Sequence, residues 1–116
     1  MEMKDILRQL NLEVGVKGSL VLTRDGIPVH SEIGPPLNGE VVAAVAGNCI
    51  REINGALRAS GAKDFSRFIF NSSFGKMAYV DTSDCYLAVV LDKSINLELT
   101  MLAITSAGRK IATMGM

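Results

Sequence analysis

The sequence predicts an α+β domain whose elements run helix, two strands, helix, three strands, helix. Three stretches carry that prediction. Gly15 to Ile33 reads as two strands joined at Asp25-Gly26, a dipeptide suited to a tight primed hairpin turn because both central residues need positive φ. A long run rich in Ala and Val, from Val41 to Leu57, has helical character and is bounded by Asn38 and Gly61. Three short apolar runs follow, separated by turns too brief for a crossover, which makes them an antiparallel meander.

Each element has its own signal. Met3, Ile6, Leu7 and Leu10 share one face of a first helix over residues 3–12, with Lys4, Arg8 and Gln9 outside. Glu2 and Asp5 lie near its start, where acidic groups favour the macrodipole, and Gly15 and Gly18 break the pattern. Ser19–Thr23 precede the Asp-Gly turn, and Ile27, Val29, Ser31 and Ile33 alternate after it. Pro28 lacks the donor a central strand needs, so the second strand is an edge. Gly34-Pro35-Pro36 ends it.

Asn38 caps the second helix, Glu40 occupies its first turn and Gly61 closes it. The first half of this helix, Val41 to Gly47, is apolar almost all round, which implies contacts on more than one side. Ala43, Ala46 and Gly47 are small enough to let another backbone approach closely. Either the helix is buried within the domain, or one face meets the sheet and another meets a partner. The second reading is preferred, because a peripheral helix in so small a domain is rarely covered all round.

Arg67–Asn71, Lys76–Asp81 and Cys85–Leu91 form the later strands, with turns near Ser73–Gly75 and Thr82–Asp84. The unbroken apolarity of Cys85–Leu91 marks it as central and covered on both faces. The last helix is expected from a cap at Ser94 to about Thr113. Ile95, Leu99, Leu102, Ala103, Ala107 and Ile111 form its stripe, widened by Met101 and Ile104.

A chain of 116 residues is one domain, 1–116, and folding buries roughly two-thirds of its unfolded surface. Aliphatic residues must build the core, since there are only two Tyr, four Phe and no Trp. Twelve basic residues balance twelve acidic ones, which argues against nucleic acid or an anionic membrane surface as the main partner. The N-terminus carries Glu2 and Asp5 in place of a signal peptide's apolar run. The longest apolar runs, Val41–Ala46 and Tyr86–Leu91, are too short for direct membrane insertion. A cytoplasmic protein is expected.

Nothing in the sequence supports catalysis, a cofactor or a metal. The single histidine, His30, falls on the polar side of an edge strand without a triad or metal-site partner. Asp25, Asp81 and Asp84 are explained by turns. Cys49 and Cys85 lack metal-ligand spacing and read as buried thiols, Cys85 in an apolar setting that predicts inertness. Gly75-Lys76 superficially matches part of a phosphate-binding loop. However, Phe70 stands where that loop's first glycine belongs and Met77 where its Ser or Thr belongs. Arg51, Arg58, Arg67 and Arg109 read as solvated, and the Asn71-Ser72-Ser73 sequon as accidental.

Gly15-Val16-Lys17-Gly18-Ser19-Leu20-Val21-Leu22 and Asp25-Gly26-Ile27-Pro28-Val29 stand in a fixed order with the Ala-rich helix around Val42–Cys49. The apolar strand Tyr86–Leu91 and a long last helix follow. In this order and spacing the chain resembles, over residues 3 to 114, the Roadblock family. That family is named after a dynein light chain and includes bacterial and archaeal regulators of small Ras-like GTPases. The resemblance implies a five-stranded antiparallel sheet with the long second helix on one face and both terminal helices on the other. It also implies a homodimer in which the third strands meet edge to edge and the second helices pack alongside one another. An apolar edge strand and a helix with surplus apolar surface agree with this, since a closed dimer would cover both.

By the same resemblance the chain is a non-catalytic scaffold that binds and regulates a small Ras-like GTPase. The alternative is a structural adaptor subunit of a motor or signalling complex, without effect on nucleotide turnover. A small-molecule sensor is a third reading, for which the aliphatic pattern gives little reason to expect a pocket. Val42, Ala46, Cys49 and Ile53 on the helix, with Phe68, Ile69 and Phe70 on the strand, are the residues assigned to dimerisation. Asn48, Arg51 and Glu52 are assigned to the partner.

Overall fold

In chain order the elements are α1 (Met3–Leu10), β1 (Val16–Thr23), β2 (Pro28–Ile33), α2 (Gly39–Ala59), β3 (Arg67–Ser72), β4 (Gly75–Asp81), β5 (Cys85–Leu91) and α3 (Leu97–Ala112). The structure, a computed structural model, describes residues 2–73 and 75–114. Phe74, inside the expected Ser73–Gly75 turn, lies outside the described residues.

The strands form one antiparallel sheet of order β2-β1-β5-β4-β3. β5 is the centre, buried along its whole length, as its unbroken apolarity requires. Alternation along the strands sorts the core into two layers. Val21, Ala78, Val80, Leu87, Val89 and Leu91 pack with Met3, Leu7 and Leu10 of α1 and with Met101, Ile104 and Ile111 of α3. Leu20, Leu22, Met77, Tyr79, Tyr86, Ala88 and Val90 pack with Ala46 and Ile50 of α2. The long helix thus covers one face and the terminal helices the other. The β2 strand carrying Pro28 is an edge, and its register against β1 shifts between Val21 and Leu22.

The caps of α2 stand where the sequence puts them. Asn38 Oδ1 accepts from the backbone N–H groups of Glu40 and Val41, at 3.0 and 3.2 Å. At the other end Gly61 takes φ +82°. Its N–H donates to Arg58 O at 3.0 Å and that of Ala62 to Leu57 O at 2.8 Å, the paired closure that a left-handed glycine permits.

The last helix departs from expectation in two ways. Its cap is Asn96, whose Oδ1 accepts from Leu99 N at 3.4 Å, not Ser94. Ser94 sits in a turn that closes from Ile95 N to Asp92 O, and Ile95 fills the space beside Gly15. The helix begins only after that anchor. Its phase differs too: Met101, Ile104, Ala107, Gly108 and Ile111 face the core, while Leu99 and Leu102 are 66% and 70% exposed. The helix therefore carries a second apolar stripe that the described residues leave uncovered.

Candidate protein-binding surface

α2 lies against the sheet along a line of small residues. Ala46 and Gly47 are buried, with Ile50 and Asn54 one and two turns on. Gly47 and Gly26 of the β1–β2 hairpin touch backbone to backbone, so that a Cβ built on Gly47 would stand 2.2 Å from Gly26 O. Ala46 is 0% exposed, and its carbonyl accepts a hydrogen bond from the Tyr79 hydroxyl at 3.2 Å. Ala46 is thus a core residue of its own chain, which does not fit the interface role expected of it from sequence. Spacing of three and four residues sets Val42, Val45, Cys49 and Ile53 along one flank. There Val41 and Val45 are 57% and 38% exposed, and Val42, Cys49 and Ile53 are half-buried.

Beside this flank runs β3, which among the described residues pairs on one side only, with β4. Phe68 and Phe70 sit on its α2 side and Ile69 on its α3 side, all half-buried. Phe68 stands 5.9 Å from Tyr79 and 6.2 Å from Phe70 between ring centroids. An apolar groove of about 230 Å³ continues the surface past Leu37, Val41, Val42, Val45, Met77 and Val90. Apart from Ala46, the residues assigned to dimerisation lie at this uncovered edge.

The residues assigned to a partner separate in role. Arg51 reaches back to the hairpin: its Nη1 donates to Asp25 O and Gly26 O at 3.1 and 3.4 Å, and its Nη2 to Asn48 Oδ1. It holds the turn against α2, a role invisible while the arginine is read as solvated. Glu52 is exposed, one turn from Cys49, and among the described residues it makes no side-chain hydrogen bond or ion pair.

Sequence reasoning also missed a polar hub beneath the C-terminal half of α2. The Tyr86 hydroxyl donates to Phe65 O at 2.7 Å and accepts from Asn54 Nδ2 and Arg24 Nη2, both at 3.0 Å. Asn54 Oδ1 accepts from Phe65 N at 2.9 Å. Arg24 also lies over the Tyr86 ring and pairs with Asp81 and Asp64, and Arg58, read from sequence as solvated, pairs with Asp64. The hub fixes the segment after α2 that delivers β3 to the sheet edge. The one local signal was Asn54, a polar residue among Ile50, Ile53 and Leu57.

Burial raises the ionisation of the Tyr79 phenol above its ordinary range, and it does the same for Tyr86 against the opposing effects of Asn54 and Arg24. Both phenols must stay protonated in the fold. Their contribution to stability is complete below about pH 10, the unfolded value, and is lost as pH rises through the higher folded values. Chemical denaturation across pH 8 to 12 should therefore show stability falling above about pH 10, with tyrosinate absorbance lagging until unfolding. Tyrosinate appearing in the folded protein at the ordinary value would contradict this.

His30 Nε2 stands 3.4 Å from Glu32 Oε1 at the β2 edge. Cys85 is buried, and that burial pushes its thiol up. Among the described residues no group of three or more His, Cys, Asp or Glu is placed to hold a metal ion. No helix among them is long and apolar enough to cross a membrane.

No protein-family profile matches the chain. Three uncharacterized proteins of Methanocaldococcus jannaschii are each 28% identical to it over 109 residues, covering 94% of this chain and 92% to 96% of theirs. Among solved structures, Myxococcus xanthus MglB superposes with a TM-score of 0.83 at 14% identity, covering 97% of this chain and 93% of that one. A Roadblock/LC7 domain from Streptomyces avermitilis superposes with a TM-score of 0.76 at 11% identity, covering 96% and 95%. The chain has a Roadblock-type fold. The Roadblock-type architecture spans nearly the full chain, so α2 and the β3 edge belong to it and are not an appendage.

Proposed function

We propose that the protein is a non-catalytic homodimeric scaffold that binds and regulates a small Ras-like GTPase in the cytoplasm. The observation that carries the reading is the pairing of a free apolar edge strand, β3, with an apolar flank of α2 beside it. A second copy adding its β3 antiparallel would continue the sheet and close that edge. Val42, Cys49 and Ile53 would then meet their counterparts across the two-fold axis, with Phe68, Ile69 and Phe70 alongside. Asn48, Glu52 and the solvent side of Arg51 would contact the GTPase. The Roadblock-type fold supports the reading, since the family resemblance implies regulators of this kind.

The test is capture on the immobilised protein from native lysate loaded with GDP or a non-hydrolysable GTP analogue. Nucleotide-dependent retention of a small GTPase is the expected result, followed by a change in its hydrolysis or exchange rate on adding the protein. Retention of the same non-GTPase proteins in both states would overturn the regulator reading and leave a structural adaptor.

A further inference from the structure

On the face opposite α2, a groove of about 390 Å³ runs between β3 and α3, lined by Arg67, Ile69, Leu97, Glu98, Met101, Leu102 and Thr105. Its floor is apolar and Leu102 stands on its rim, 70% exposed. Among the described residues its only charges are Arg67 and Glu98, both exposed, and neither makes an ion pair. They sit at opposite ends of the strand. Arg67 pairs in register with Val80, and Val80 touches the Gly108 end of α3. Glu98 is in the first turn of α3, which enters from Leu91; Leu91 lies opposite Lys76, and Lys76 opposite Asn71. α3 therefore runs from the Asn71 end of β3 to the Arg67 end.

We infer that a second copy of this chain occupies the groove, with Arg67 of each protomer paired to Glu98 of the other. The inference rests on the β3-edge dimer proposed above and adds α3 to it. An antiparallel strand related by a two-fold axis reverses direction, so the Arg67 end of one β3 lies beside the Asn71 end of its partner. There the other copy's α3 presents Glu98. The axis makes the contact reciprocal, two identical pairs for one interface. Ile69 and Leu102 of both copies would lie between the pairs, which explains why α3 keeps an apolar stripe that the described residues do not cover. Opposite charges on the rim would set the register of the two strands, which a bare edge specifies weakly.

Sedimentation equilibrium of the wild type, Arg67→Glu, Glu98→Arg and the double variant tests this. Each single reversal creates two like-charge contacts and should weaken the dimer about tenfold, with the double variant returning close to wild type. Both positions are exposed, so far-ultraviolet circular dichroism spectra of the variants should match that of the wild type and show the fold unchanged. Wild-type dimerisation should also weaken as salt rises. A wild-type dimer that is indifferent to either single reversal, or a double variant no tighter than the singles, would overturn the α3 contact and leave the edge-strand dimer standing. A wild type that stays monomeric would overturn both.

Discussion

Gly47→Ala is expected to destabilise the protein by about 3 kcal/mol, the scale of an overpacked core that must shift backbone. Helix propensity alone predicts the opposite, since Ala in a helix interior is favoured over Gly by about 1 kcal/mol. The clash decides the sign. The added Cβ would stand 2.2 Å from Gly26 O and 3.2 Å from Gly26 C, and backbone atoms cannot rotate aside as a side chain can. Gly26 cannot withdraw easily either, because it holds φ +85° in the hairpin turn and is itself only 2.5 Å from Gly47 O at its own Cβ position. Gly55→Ala in the same helix is the internal control: a Cβ there meets nothing within 4 Å, so it should stabilise by about 1 kcal/mol. Urea denaturation of both variants at one protein concentration separates the two effects. Equal stability of Gly47→Ala and wild type would show that hairpin and helix are not locked as described.

Val45→Glu is expected to abolish dimerisation while leaving the fold intact. Val45 is 38% exposed within its own chain, so a carboxylate there stays hydrated in the monomer. In the proposed dimer it would be buried beside its counterpart across the axis. An uncompensated buried charge costs about 3–5 kcal/mol, which is a loss of more than about a hundredfold in affinity. Val29→Glu on β2, the opposite edge of the sheet, is exposed and should leave the association unchanged. Light scattering across the micromolar range reads the outcome. Dimers of Val45→Glu as tight as wild type would remove α2 from the interface. A charge at Ala46 is not an equivalent test, because that residue is enclosed in the core and its substitution would report on folding.

Much of the architecture was legible residue by residue. Asp25-Gly26 located the hairpin but not its turn, since Gly26 alone of the pair takes positive φ and the turn closes from Gly26 N to Thr23 O. Pro28 placed β2 at an edge, Cys85–Leu91 declared a strand covered on both faces, and Asn38 and Gly61 bracketed α2. These signals are local: each rests on the conformation or hydrogen-bonding capacity of a few consecutive residues. The resemblance built on their order and spacing holds at the level of the fold.

The remainder depended on which surfaces meet. Leu99 and Leu102 have the same apolar character as Ile104 and Ile111, and periodicity could not say which stripe of α3 turns to the sheet; the anchor at Ile95 and the cap at Asn96 set the phase. Ala46 and Val45 are adjacent in an all-apolar stretch, and only the close approach of Gly47 to Gly26 sends Ala46 into the core and leaves Val45 outside. Arg51 and Arg58 looked solvated because their partners, the Asp25 and Gly26 carbonyls and Asp64, are brought to them by folding. The hub of Tyr86, Asn54 and Phe65 joins three segments remote in sequence. The sequence by itself determined the elements, their order and the two-sided nature of the sheet, because backbone propensity and alternation act over a few residues. Only the tertiary structure decided which apolar flank stays open for a partner, because that depends on how closely backbones approach, and such contacts leave no periodic trace in the chain.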